Sequence, residues 1–319
     1  MARHLAFRLL QGLLLLLLMS VLVYGLMGLM PGDPIELMAA GSPSMTPEDV
    51  ARLKAVYGVD QPLLARYGHW LAGALSGDLG YSRLSARPVA ETLAGPLGRS
   101  AGLMAGSLTL ALLLALPAGI WAALRQGRLA DHALNLTAFA AISLPVFWLG
   151  LLLIILFAVT LSWFPASGVE TVGSGGGLFD HLWHMALPVC ALALASFGHY
   201  LRYMRSAMIG ALRENWIRTA KAKGLSTLQI VLRHSLRNAL VPVATVLALD
   251  IGALFSGVLV TETVFAYPGM GKLIFDAVMG NDYNLALAAL LLATALTLLG
   301  SLLADIVHSR LDPRVRLSA

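Results

Sequence analysis

Six apolar stretches, each at least about the 20 residues needed to cross a hydrocarbon core, decide most of what this chain can fold into. They lie near residues 9–30, 101–124, 133–162, 185–207, 239–263 and 285–307. A backbone inside a bilayer finds no water to bond, so each stretch must satisfy its own polar groups as a helix. The expected fold is all-α, a polytopic membrane bundle of six transmembrane helices. Composition agrees, with 58% hydrophobic and only 12% charged residues, against about 25% charged in a soluble domain. Pro117, Pro145, Pro188 and Pro242 fall within or at the edges of four stretches and predict kinks. The third stretch exceeds a straight crossing, so it should tilt or break near Pro145. Arg3 and Arg8 before the first stretch resemble a signal peptide, but 9–30 is longer than the usual 7–15-residue apolar region and the small-residue site at Ala39 and Ala40 is weak. A retained first span is expected. Cys190, the single cysteine, lies in an apolar run and reads as inert packing.

Lys and Arg are distributed unevenly over the connections. Fifteen of the 22 fall in the N-terminus, the 125–132 turn, the 202–237 block and the C-terminus. The remaining seven are Lys272 and six in the 31–99 insertion, where seven acids offset them. The positive-inside rule puts both termini and the basic block in the cytoplasm, which an even number of spans requires. The net charge of +5 does not indicate nucleic acid, because the basic residues sit where orientation demands them. The external insertion contains Thr46-Pro-Glu-Asp49, which reads as an N-cap, a first-turn proline and an acid at the third position. Leu63, Leu64, Tyr67, Trp70 and Leu71 follow at helical spacing, as in a helix lying on the bilayer or against the bundle. Gly173 to Gly177 reads as a flexible external loop.

The 202–237 block carries eight Lys and Arg residues. It is either a surface for lipid headgroups or a docking surface for a protein. Ser226 and Gln229 have capping-box spacing, flanked by Leu225 and Ile230 as a hydrophobic staple, so a helix should begin at Ser226. Gly224 suits the left-handed residue that closes the helix before it. In that helix Leu212, Trp216, Ala220 and Gly224 recur every four residues, with Arg218, Lys221 and Lys223 off their face. Ala220, Ala222 and Gly224 leave room for a partner's close approach.

Other polar residues point to fewer chemistries. Tyr267-Pro-Gly-Met-Gly-Lys-Leu273 lacks the first glycine and the final Ser or Thr of a phosphate loop. Asp250 and Glu262 belong to the fifth span, where acids are costly and often functional. Asp250, near mid-span, should face the bundle interior or a water-filled path; Glu262, near the external end, could equally be an interfacial cap. Asp305 should pair with a nearby cation. His181 and His184, placed in an external loop, and His199, in a span, form no closed metal site by spacing.

The run Trp216-Ile-Arg-Thr-Ala-Lys-Ala-Lys-Gly-Leu225, followed by Arg233-His-Ser-Leu-Arg-Asn-Ala-Leu-Val-Pro242, resembles the cytoplasmic coupling loop of permease subunits of ATP-binding-cassette importers, in the dipeptide, oligopeptide and nickel branch. The resemblance covers nearly the whole chain. Leu29-Met-Pro-Gly-Asp-Pro34, Tyr57-Gly-Val-Asp-Gln-Pro62, Gly77-Asp-Leu-Gly-Tyr-Ser82, Pro165-Ala-Ser-Gly168, the run from Glu262 to Gly271 and Leu311-Asp-Pro-Arg314 stand in that branch's order. Where the wider superfamily has Glu-Ala-Ala, this chain has Arg218, Thr219 and Ala220; its glycine is Gly224, and its proline comes late at Pro242.

The resemblance implies a type I permease fold. Residues 1–100 would hold the first span and the external insertion, 101–311 a five-helix core with a coupling helix at about 212–224, and 312–319 a cytoplasmic tail. It implies that Arg213, Glu214, Trp216, Arg218, Thr219, Ala220, Lys221, Ala222, Gly224 and Leu225 meet a separate ATPase. It further implies a second, homologous permease subunit, two ATP-binding subunits and an external solute-binding protein in a bacterial inner membrane. The chain itself would be non-catalytic and hold no cofactor, ATP and Mg being bound by the partner subunits. Cargo would be peptides or peptide-like solutes, with nickel or a metal chelate as the alternative. A stand-alone ion-coupled secondary transporter, the different-class reading, should show internal repeats or discontinuous helices in the sequence, and neither is visible.

Overall fold

The computed structural model describes residues 2–29, 39, 46–56, 61–173 and 175–311. The motif residues 30–34, 57–60 and 312–314, Ala40, Ser174 and the 312–319 tail lie outside the described residues. Helix α1 is Ala2–Gly28, α2 Pro47–Val56, α3 Leu63–Leu75, α4 Val89–Leu124 and α5 Leu129–Ser143. Helix α6, Val146–Leu153, runs on as a π-helix through Ile154–Thr160. Then come α7 (Leu178–Arg213), α8 (Asn215–Ala222) and α9 (Thr227–Gln229), whose π-helical continuation Ile230–Ser235 enters α10 (Leu236–Val264). Helices α11 (Met270–Met279) and α12 (Tyr283–Leu311) complete the order. Among the described residues the only extended pairing is one isolated bridge, Tyr81 with Pro88.

Helices α1, α4, α7 and α12 are each long and apolar enough to cross a membrane, and α5 with α6 makes a fifth such segment bent by 102°. The bend falls at the expected place. Leu144 is extended at φ −88°, ψ 126°, as the residue before a proline prefers, and Pro145 starts the next helix. Helix α10 covers the fifth apolar stretch, with Pro242 inside it, as Pro188 is inside α7. At 36 residues each, α4 and α7 are about 54 Å long against a hydrocarbon core of about 30 Å, so both extend beyond it.

The chain divides into two units, residues 1–98 with 269–296 and residues 99–268 with 297–319. In the first, Val23 and Met27 of α1 share a core with Val89, Leu93 and the start of α12. Helix α3 leans on α1: Tyr24, Tyr67 and Trp70 form one aromatic group, and the hydroxyls of Ser20 and Tyr67 lie 2.7 Å apart. Tyr67, Trp70 and Leu71 carry that packing, while Leu64 stays exposed. Thr46 caps α2 as its sequence predicts: Asp49 N donates to Thr46 Oγ1 at 3.2 Å, and the Asp49 carboxylate accepts from Thr46 N. The Thr46 hydroxyl, which donates to the Asp49 carboxylate at 2.7 Å, and then Thr46 N hold that carboxyl below the usual carboxylate range.

The run Gly77 to Ser82 has a local purpose in this unit. Ser82 Oγ donates to Asp282 Oδ2 at 2.6 Å, and Leu84 N donates to the same oxygen. Asp282 Oδ1 accepts from Leu285 N, in the first turn of α12. One buried carboxylate therefore starts the last long helix and fastens the 82–84 loop to it. Gly80 sits at φ +75°, a conformation that favours glycine, and a Cβ there would lie 2.8 Å from Asn284 Nδ2 and push that amide aside.

In the second unit α7 is central, packed against α5, α6 and α10. Its buried residues Leu187, Ala191, Tyr200, Met204, Met208 and Ala211 recur mainly at three- and four-residue steps. Small residues bring the axes together, as expected where lipid offers no hydrophobic drive to association. A Cβ on Gly119 of α4 would lie 2.8 Å from Leu201 O, and one on Gly198 of α7 would run into Ala138 O of α5.

Candidate functional site

Helix α7 ends at Arg213, and Glu214, extended at φ −67° and ψ 150°, restarts the chain as α8. The expected single helix at about 212–224 is therefore a break followed by two turns. The restart changes the helical phase: Ile217 and Ala220 are the buried residues of α8, whereas Trp216 is 38% exposed. The four-residue repeat that joins Leu212, Trp216, Ala220 and Gly224 crosses the break and does not form one face. Ile217 and Ala220 pack on Ile230, with Leu212 and Leu225 half-buried beside them. Ala220 and Leu225 thus face inward, while Arg213, Glu214, Trp216, Arg218, Thr219, Lys221, Ala222, Lys223 and Gly224 remain exposed.

The end of α8 and the start of α9 are closed as the sequence predicts, while Glu214 at the head of α8 makes no side-chain cap. Gly224 stands at φ +77°; its N–H donates to Lys221 O at 2.9 Å, and Leu225 N donates to Ala220 O at 3.3 Å. These two bonds form the glycine-terminated stop. Two residues on, Gln229 N donates to Ser226 Oγ and Ser226 N to Gln229 Oε1, completing a capping box. The result is a short, rigid helix with a predominantly basic outer face, held by its own apolar underside.

The acids of the fifth stretch have different surroundings. Asp250 of α10 accepts a 2.9 Å hydrogen bond from the buried Tyr200 hydroxyl of α7. Both border a cavity of about 250 Å³ that Ser107, Ser196 and His199 also line. Glu262 is fully buried, and Ser100 of α4 donates to it. Tyr267 N donates to Glu262 O, Arg99 Nε to Pro268 O, and Gly168 N to Phe265 O. The motifs around Pro165 and Glu262 thus meet in one folded corner, and Glu262 packs internally there.

His181 and His184 lie in the first two turns of α7, not in a loop. That helix starts after Gly177, extended at φ −77° and ψ 161°, and His184 Nδ1 stands 2.9 Å from Asp180 O. His199 is exposed beside the cavity. One polar group escaped sequence reasoning. Asp131, 2% exposed, receives Arg205 Nε and the second guanidinium nitrogen at 2.6 and 2.7 Å, with Gly127 N and Asn135 Nδ2 completing its shell. An acid at the mouth of an apolar stretch with Asn four residues later was the available signal. Arg205, counted among the topology-setting cations, is committed to this pair.

A helical membrane bundle carrying a capped basic helix between two long apolar helices defines a class, the membrane-embedded component of a transport system. The chain belongs to the binding-protein-dependent transport system inner membrane component family, which matches residues 115–317, and the N-terminal part of the same family matches residues 1–93. It is a permease subunit of the ATP-binding-cassette importers and a multi-pass inner-membrane protein. It is 36% identical over 316 residues to the oligopeptide transport system permease protein AppB of Bacillus subtilis, covering 99% of each chain. It is 33% identical to the dipeptide transport system permease protein DppB of Escherichia coli K12, over 93% of this chain and 94% of that one. It is 36% identical to the glutathione transport system permease protein GsiC of Escherichia coli O6:H1, over 94% of both.

Proposed function

We propose that this chain forms half of the translocation pathway of an importer that moves peptides or peptide-like solutes handed over by an external binding protein. It pairs with a second, similar permease and with two ATPase subunits that bind ATP and Mg. Six spans put both termini and α8 in the cytoplasm. The observation that carries the reading is α8 itself: closed at Gly224, restarted at Ser226 and exposed along Arg218, Thr219 and Lys221. A loop that only set topology would need no such closure, whereas a handle that passes a partner's movement to α7 and α10 must be stiff. Arg213, Glu214, Trp216, Ala222 and Gly224 belong to the docking face, and Ala220 and Leu225 support it from beneath. Peptide cargo is supported over nickel or a metal chelate by relatives named for oligopeptide, dipeptide and glutathione transport. Asp250 stands beside the pathway, and Glu262 contributes by holding the external corner in shape.

Co-expression with the ATPase and permease genes that neighbour it tests this. A stable complex that takes up peptide only with ATP and binding protein is expected. Proton-driven uptake by the isolated chain would overturn it.

A further inference from the structure

We infer that the cavity beside Tyr200 and Asp250 is a cation subsite that takes the ammonium group of a peptide in transit. This rests on the reading of the chain as a peptide permease subunit. A carboxylate within a membrane bundle is costly unless something compensates its charge. Among the described residues, Asp250 receives only one hydrogen bond, from a neutral phenol, and makes no ion pair. The cations nearest to Tyr200 along α7 are engaged elsewhere: Arg202 lies over the Phe139 ring at 4.6 Å and Arg205 is held by Asp131. The uncompensated charge borders an open space of about 250 Å³, smaller than the roughly 300–1,000 Å³ that encloses a drug-sized ligand. It therefore suits one end of a peptide. Ser107, Ser196, His199 and Tyr200 add hydroxyl and imidazole groups around the carboxylate, partners for the three N–H donors of an ammonium and for the adjoining amide. The sign of the charge selects the amino end over the carboxylate end.

The test uses the complete importer in nanodiscs, after ATP-driven uptake of alanyl-alanine has been measured for the unmodified complex. In a Cys190→Ala background, Ser196→Cys puts a thiol on the cavity wall. Cationic and anionic thiol reagents of equal size are compared, first with Asp250 in place and then with Asp250→Asn. The cationic reagent should react about tenfold faster than the anionic one, and Asp250→Asn should bring the ratio towards one. Alanyl-alanine should protect the thiol, and N-acetyl-alanyl-alanine should not. Equal rates for the two reagents, or equal protection by the two peptides, would overturn the subsite. A second reading needs no introduced thiol: Asp250→Asn alone should lower peptide moved per ATP hydrolysed by about fivefold or more, and an unchanged ratio counts against the proposal. Absence of alanyl-alanine uptake by the unmodified complex would instead remove the peptide-permease reading on which the subsite rests.

Discussion

Tyr200 on α7 and Asp250 on α10 are joined by a 2.9 Å hydrogen bond between two membrane helices that the basic block connects. On the proposed reading a movement of α8 would reach both helices, because α7 leads into it across Glu214 and α10 follows it through α9. The bond therefore ties the candidate pathway to the two helices that the handle would shift. Tyr200→Phe removes the donor and keeps the ring. Loss of a hydrogen bond to a charged group should cost about 1.5–3 kcal/mol, read as a lower thermal midpoint of the purified chain in detergent. An unchanged midpoint would show that the bond contributes nothing to holding α7 against α10.

At Gly224 conformation and contact can be separated. Its left-handed φ of +77° is tolerated by Asn and Asp, and a Cβ there would meet nothing within 4 Å. Gly224→Asn should therefore fold and, bringing no charge to the docking face, transport better than Gly224→Asp. Gly224→Asp should also fold, but it places an acid on a basic docking face and should reduce peptide moved per ATP hydrolysed. Equal transport by the two variants would speak against docking at this face.

The Asp131–Arg205 pair is bidentate and its acid is buried. Arg205→Ala strands that acid and should cost about 3 kcal/mol, while the double change with Asp131→Ala should recover part of the loss. Chemical unfolding of the four chains of the cycle measures the coupling, and simple additivity would contradict it.

Helix contact through small residues predicts a contrast within α7. Gly198→Ala drives a methyl into Ala138 O and should destabilise by about 1–3 kcal/mol. Gly210→Ala, on the same helix with nothing within 4 Å, should be neutral or stabilising by up to about 1 kcal/mol. Thermal stability in detergent separates the two.

What the sequence made legible was local. The apolar stretches, the break at Pro145, the cap at Thr46, the stop at Gly224 and the box at Ser226 each depend on residues within a few positions of one another. The glycine and serine signals predict backbone geometry that the structure then shows. Face assignments across Arg213 failed because one extended residue, Glu214, resets the helical phase, so Ile217 turns inward and Trp216 outward. Partners distant in sequence were not legible: Arg205 with Asp131, Ser100 with Glu262 and Ser82 with Asp282 need the tertiary fold to bring them together. Ser82 and Asp282 are 200 residues apart, and no periodicity connects them. The motif Gly77 to Ser82 identified the family without revealing that its serine and Gly80 fasten the start of the last helix.

On the proposed reading, α8 is the surface through which ATPase subunits act. A photo-crosslinking residue at Arg218, on the exposed face of α8, and in a separate chain at Val172, fully exposed in the loop before α7, tests it most directly in the assembled importer. An ATPase subunit should be captured from position 218, in a yield that changes with nucleotide, and none from position 172. Capture from 172, or no capture from 218 in a complex that still couples ATP to uptake, would contradict it.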